Sequence, residues 1–143
     1  MHRHGITVEN EFVVNGPSLP NTVVFESNSS LVQLTNAVNT GSIRYERNTT
    51  PVVFHDYTYW SSPVASFSSS AISSSTPTGY IYKWTPTISD LAGNWAAGNE
   101  TMVLGKGYIV RGPNGFGSTP STFTANFIGV PNNGNITYID IIK

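Results

Sequence analysis

Tyr57-Thr58-Tyr59-Trp60-Ser61-Ser62-Pro63-Val64 is the stretch whose reading decides the fold. Three aromatics in four residues, with one β-branched residue among them, suit a pleated, half-buried surface and read as a strand. Alternation places Tyr57 and Tyr59 on one face and Thr58 and Trp60 on the other. Pro63 cannot donate to a sheet ladder, so the strand ends near Ser62. Upstream the sequence falls into short, even rungs; downstream come aromatic strands joined by Ser-, Gly- and Pro-rich connections. The stretch therefore marks a boundary between two styles of β structure.

On the N-terminal side, the runs Ile6-Thr7-Val8, Phe12-Val13-Val14, Val23-Val24-Phe25, Ser30 to Leu34 and Ser42 to Arg47 each end at a polar or Gly/Asn corner. Their short spacing fits either the hairpins of a sandwich or the rungs of a β-solenoid. No strict repeat runs through them, so a long solenoid is not predicted. On the C-terminal side, residues 66–78 are largely serine and read as a surface loop inserted within the domain. Gly79 to Trp84 is a second aromatic strand, with Tyr80, Tyr82 and Trp84 on one face. Pro86 to Trp95 reads as a loop. Thr101 to Leu104, Tyr108 to Arg111 and Thr122 to Phe127 are further strands, the last with Phe123, Ala125 and Phe127 on one face. The turn signal Pro131-Asn132-Asn133-Gly134 leads to a final strand, Ile136 to Ile142. No window carries a capped amphipathic helix. The expectation is one all-β domain over residues 1–143. Short solenoid-like or hairpin rungs in 1–50 lead into an antiparallel β-sandwich or jelly-roll-like unit in 51–143.

Composition narrows the setting. Charged residues are only 10 % of the chain, so hydroxyls and amides must cover the solvent faces, as in secreted or cell-surface β proteins. A net charge of −1 with no Lys/Arg cluster argues against a nucleic-acid partner. The absence of cysteine excludes disulfides and thiolate metal sites. No apolar run approaches the roughly 18 residues that span a bilayer. Met1-His2-Arg3-His4-Gly5 lacks the apolar core of a signal peptide. If the parent protein is exported, the chain is expected to be a fragment of it.

Five segments carry a family resemblance: Asn28 to Gln33, Gly41 to Pro51, Tyr57 to Val64, Gly105 to Arg111 and Phe127 to Gly134. Together, over about residues 20–135, they resemble a β-rich domain of large secreted proteins of the Bacteroidota, especially flavobacteria. Those proteins leave the cell through the type IX secretion system and end in a sorting domain. In them the domain follows solenoid-like repeats and precedes further β segments. The resemblance implies a secreted or cell-surface location and brings no catalytic residues with it.

His55, Asp56 and Ser61 are the residue types of a hydrolase triad, but no Gly-x-Ser-x-Gly elbow accompanies them, and adjacent His and Asp on a strand point apart. Glu9 and Glu11 would share a face if extended, at a spacing that glycosidase carboxylates use; two acids on a solvated strand show the same pattern. Asp90, Asn99 and Glu100 carry oxygen donors suited to calcium, without the spacing of an EF-hand. Calcium is the ion these donors would suit, and no cofactor is expected. His2 and His4 belong to the chain end. The aromatics are the most informative group. Tyr59, Trp60 and Tyr82 are assigned to the core; Trp95, in a Gly/Asn-rich loop, and Tyr80 and Trp84 are assigned to a sugar-stacking platform.

The expected function is a non-catalytic structural or adhesive β module of a secreted or cell-surface bacterial protein. The alternatives are a carbohydrate-binding module that takes polysaccharide on exposed aromatics, and a small hydrolase acting on polysaccharide or ester. The expected partners are neighbouring β domains of a larger chain and a second copy pairing through strand edges such as Ile139-Asp140-Ile141-Ile142.

Overall fold

The computed structural model describes residues 5–15, 23–88 and 93–136. Among them the chain is all-β, with no α-helix. The strands are β1 (Gly5–Val8), β2 (Val24–Phe25), β3 (Ser30–Gln33), β4 (Ile43–Asn48), β5 (Tyr57–Trp60), β6 (Ile81–Thr85), β7 (Asn94–Ala97), β8 (Tyr108–Arg111) and β9 (Thr124–Gly129). Single 3-10 turns lie at Ser69–Ala71 and Thr78–Tyr80. The expected strands at Phe12 to Val14 and at Thr101 to Leu104 shrink to isolated bridges, Val13 to Thr40 and Ser68 to Thr101. Most of the expected final strand lies outside the described residues, as do His2, His4 and Asp90.

Early in the chain the pairing is parallel. β1 lies beside β3 with Gly5 opposite Ser30, Val13 bridges to Thr40, and β2 lies beside β4 with Val24 opposite Arg44. Parallel neighbours cannot be joined by a tight hairpin. The chain makes a circuit and returns in the same direction, which is the path of a solenoid coil. Of the two readings left open by the rung spacing, the coil is the one observed in this segment.

A buried side-chain amide fixes the corner of that coil. Asn39 Oδ1 accepts from the Phe12 amide and from Gln33 Nε2, each at 2.8 Å. Its Nδ2 donates to Gln33 Oε1 at 2.7 Å and to the Pro131 carbonyl at 2.9 Å. Burying an amide is unfavourable unless both ends find partners, and here both do. Nearby, Gly41 has φ +81°, and a Cβ there would sit 2.3 Å from the Val14 carbonyl oxygen. Only glycine lets the two passes of the coil approach so closely.

From Tyr57 the main pairing is antiparallel, in the order β5-β8-β6-β7. Tyr59 faces Ile109, Tyr82 faces Ile109 on one side and Ala97 on the other, and Trp84 faces Trp95. β9 runs antiparallel to β4, with Tyr45 opposite Phe127, so coil and later strands share the sheet β2-β4-β9.

The two sheets meet over one core. Phe25, Ile43, Tyr45, Ala125 and Phe127 come from β2-β4-β9; Ile81, Tyr108 and Val110 come from the four-stranded sheet. The Phe127 ring lies 5.7 Å from Trp60 and 4.8 Å from Phe67. Burial of each large apolar side chain contributes about 1.5–3 kcal/mol.

The serine-rich segment is not simply a surface loop. Phe67, Ser69, Ile72, Ser73 and Thr76 are buried within it. Ser69 Oγ donates to the Gly98 carbonyl at 2.7 Å and accepts from the Glu100 amide at 3.1 Å. Thr76 Oγ1 lies 3.0 Å from the Arg111 carbonyl. Small hydroxyl side chains satisfy neighbouring backbone groups at close quarters, while Phe67 and Ile72 anchor the segment in the core.

Candidate functional site

The four-stranded sheet turns one face inward and leaves the other open. Alternation sends Trp60, Ile81, Tyr108 and Val110 into the core. The same alternation turns Tyr57, Tyr59, Tyr82, Trp84, Trp95, Ile109 and Arg111 outward, because cross-strand partners share a face.

The outward rings form a connected row. Trp84 and Trp95 stand 5.3 Å apart with planes at 76°, edge to face. Tyr59 and Trp95 approach to 6.2 Å across the two strands between them. Tyr57 and Tyr82 lie 6.1 Å apart. These tilted arrangements let the electron-poor edge of one ring meet the electron-rich face of the next. Tyr59 is 75 % exposed and Trp84 is 42 % exposed. The Tyr57 phenol is held above its ordinary pKa, first by partial burial and then by the Tyr82 hydroxyl beside it, with Arg111 acting in the opposite sense.

Three of the expected placements change. Tyr59 is not in the core: it follows Thr58 and precedes Trp60 on one strand, so Trp60 inward requires Tyr59 outward. Tyr82, likewise assigned to the core, is half-buried on the outer face. Trp95 lies on β7 rather than in a loop. Gly93, at φ +77°, reverses the chain so that Asn94 and Trp95 pair back onto Thr85 and Trp84. A Cβ at Gly93 would come within 2.3 Å of Trp84 Cζ2, so the indole rests against bare backbone.

At the other end of the row sits Arg111, only 6 % exposed. Its guanidinium lies 3.7 Å from the Tyr80 ring centroid and 4.1 Å from that of Phe54. Nη2 donates to Asn114 Oδ1 at 2.6 Å, and Nε is buried without an acceptor. Beyond Phe54 opens a cleft of about 380 Å³, lined by Val53, Phe54, His55, Phe116, Gly117 and Ser118. Trp84 and Trp95 are thus brought to one face with Tyr57, Tyr59, Tyr82 and Arg111, whereas Tyr80, expected on the strand, lies in the 3-10 turn before β6 and stands against Arg111 at the end of the row.

The remaining candidates are placed apart or engaged elsewhere. His55 packs edge-on against Phe54 at 4.7 Å. Asp56 Oδ2 accepts the Val53 amide at 2.8 Å and so caps a turn. β1 ends at Val8 and the chain bends at Glu9 and Asn10, so the extended geometry that would align Glu9 with Glu11 is not present. Glu100 is ion-paired with Lys83 and accepts from the Tyr108 hydroxyl at 2.7 Å. Burial pushes its carboxyl up, but the hydrogen bonds from Lys83 and Tyr108 and the Lys83 charge outweigh this and hold it below the ordinary range. Asn99 is exposed beside it. No group of three or more His, Asp or Glu able to hold a metal occurs among the described residues. A groove of about 250 Å³ near β1 and β2 has Glu26 as its one carboxylate among the described lining residues. No helix among the described residues is long and apolar enough to cross a membrane.

The chain belongs to the family described as domain of unknown function DUF8693, whose model matches residues 2–141. No curated protein and no solved structure matches it.

Proposed function

We propose that this chain is a non-catalytic binding module of a secreted or cell-surface protein, and that it holds polysaccharide on the outer face of β5-β8-β6-β7. The observation that carries this is the row Tyr59–Trp95–Trp84, exposed at Tyr59 and Trp84 and half-buried at Trp95, set on strands rather than on a loop. Solvent-exposed rings in contact with one another are an apolar patch that favours a partner. The C–H faces of a sugar are weakly positive and apolar, which complements the negative face of Trp and Tyr. The Tyr57 and Tyr82 phenols supply polar atoms for sugar hydroxyls at the middle of the row. Asp56, Glu100 and Glu46 are engaged in turn or ion-pair contacts, which supports binding over hydrolysis.

The test is a panel of soluble polysaccharides run in affinity gels, with reducing ends assayed on the same samples. The wild type should be retarded without releasing new ends. Trp84→Ala and Tyr59→Ala should each weaken binding about tenfold, the equivalent of roughly 1.4 kcal/mol of stacking. Absence of retardation by every polymer would defeat the reading, and new reducing ends would replace it with a hydrolase.

A second role is compatible with the first. β4 pairs in parallel with β2 and antiparallel with β9, so it is the strand at which a coil becomes a sandwich. A module of this shape would join solenoid-like repeats to an antiparallel unit in a larger surface protein.

A further inference from the structure

The geometry points to an acidic polysaccharide, one whose sugars carry carboxylates, as the ligand of the outer face, with Arg111 as the residue that selects for the charge. This rests on the reading of that face as a glycan-binding surface and adds a ligand class to it. A guanidinium carries five N–H donors and no acceptor. Among the described residues Asn114 Oδ1 is the one acceptor that Arg111 meets, and Nε is buried without any. No carboxylate of the described residues lies within ion-pair distance of it. A nearly buried cation without a counter-charge is unfavourable. The rings of Phe54 and Tyr80 offset part of that cost through their electron-rich faces, but ring faces leave the in-plane donors unused.

Other described arginines and lysines of the sheets are engaged differently. Arg44 pairs with Glu46 at 3.0 Å, and Lys83 pairs with Glu100. Arg47 donates to the backbone carbonyls of Glu26, Ser29 and Glu46. Arg111 alone among these stands at the end of the aromatic row, with Tyr57 as its cross-strand partner. Clamped between two rings, it is held in one plane before any ligand arrives, which lowers the entropic cost of recognition. Nε is enclosed, so a carboxylate would reach the guanidinium at its Nη end, with the paired donors that arginine offers to carboxylates. A sugar chain seated on Trp84, Trp95 and Tyr59 would then run across the sheet toward Tyr57 and Arg111.

Calorimetry with three polymers tests this: polygalacturonate, its fully methyl-esterified form, and neutral xylan. The wild type should bind polygalacturonate about tenfold or more tighter than the ester, and added salt should erode that preference. Arg111→Lys keeps the charge but loses the planar fork, so the ratio of its affinities for acid and ester should fall most of the way to one. Trp84→Ala should weaken all binding alike. Equal wild-type affinity for acid and ester overturns the inference and leaves the aromatic face standing; this comparison needs no variant, so a destabilised Arg111 substitution does not blunt it. An Arg111→Lys protein that keeps the full preference overturns the assignment to Arg111. Failure to bind any of the three polymers overturns the inference; failure across the wider panel removes the reading beneath it as well.

Discussion

The parallel coil of residues 5–45 and the antiparallel sheet of residues 57–111 use similar residue types and are held in opposite ways. The coil is short, and aliphatic side chains such as Leu34 and Val38 point to solvent. Its corners are fixed by amides: Asn39 with Gln33, and Asn133, whose Nδ2 donates to the carbonyls of Thr35 and Ala37. The sheet has polar corners of its own, at Asp56, Ser69 and Thr76, but it adds a large apolar interface. Its inner face is buried over Phe127 and Phe67, and this leaves the outer face free to carry rings that the core does not need. Where apolar burial is thin, hydrogen bonds specify the path; where burial is ample on one side, the other side is available for binding.

That contrast can be broken first at the shared core. Phe127 lies on β9, packs against Trp60 of the sheet and pairs with Tyr45 of β4. Phe127→Ala should cost about 3–5 kcal/mol, and coil and sheet should unfold in one denaturant transition. Two separated transitions in the wild type would show that the regions are not one cooperative unit. Asn39→Ala should act on the coil. It orphans the Phe12 amide, the Gln33 side chain and the Pro131 carbonyl that ties the coil to the later chain, at a cost of about 1–3 kcal/mol, with glycan binding unchanged. Gly93→Ala should act on the sheet alone. The left-handed backbone and the contact with Trp84 make it unfavourable by about 1–3 kcal/mol, and near-ultraviolet circular dichroism should report the displaced Trp84–Trp95 pair.

The smallest effect expected is that of pH. Glu100 titrates lower in the folded chain than in the unfolded one, so the unfolded state binds its proton more readily. The stability it contributes is complete above the ordinary glutamate range and disappears as pH falls through the depressed folded value. Denaturant midpoints measured from about pH 7 down to about pH 3 should fall more steeply in the wild type than in Glu100→Gln. Parallel curves would show that the Lys83–Glu100–Tyr108 contact adds nothing.

Much of this was legible in the sequence. Alternation places Tyr57 with Tyr59, Tyr82 with Trp84, and Ala125 with Phe127, because a period of two is a local property of the backbone. Local reading missed what depends on distant partners. The parallel coil is set by pairings such as Gly5 with Ser30, which short spacing alone cannot separate from hairpins. Asn94, Ala96 and Ala97 have weak strand propensity, so β7 does not stand out in the sequence; Trp84 and the turn at Gly93 recruit them. Serine composition hid Phe67 and Ile72, the two residues that anchor their segment. Arg111 gave no signal at all, since its ring neighbours Phe54 and Tyr80 lie far from it in sequence.

The three tryptophans offer the most direct test of the central claim, because Trp60 faces the core while Trp84 and Trp95 face outward. Fluorine NMR of protein labelled with 5-fluorotryptophan would follow each separately during titration with polygalacturonate and, in parallel, with xylan. The account predicts that the Trp84 and Trp95 resonances move with at least one polymer while that of Trp60 stays in place. Outer resonances that hold still with both polymers, or a Trp60 resonance that moves as far as they do, would contradict it.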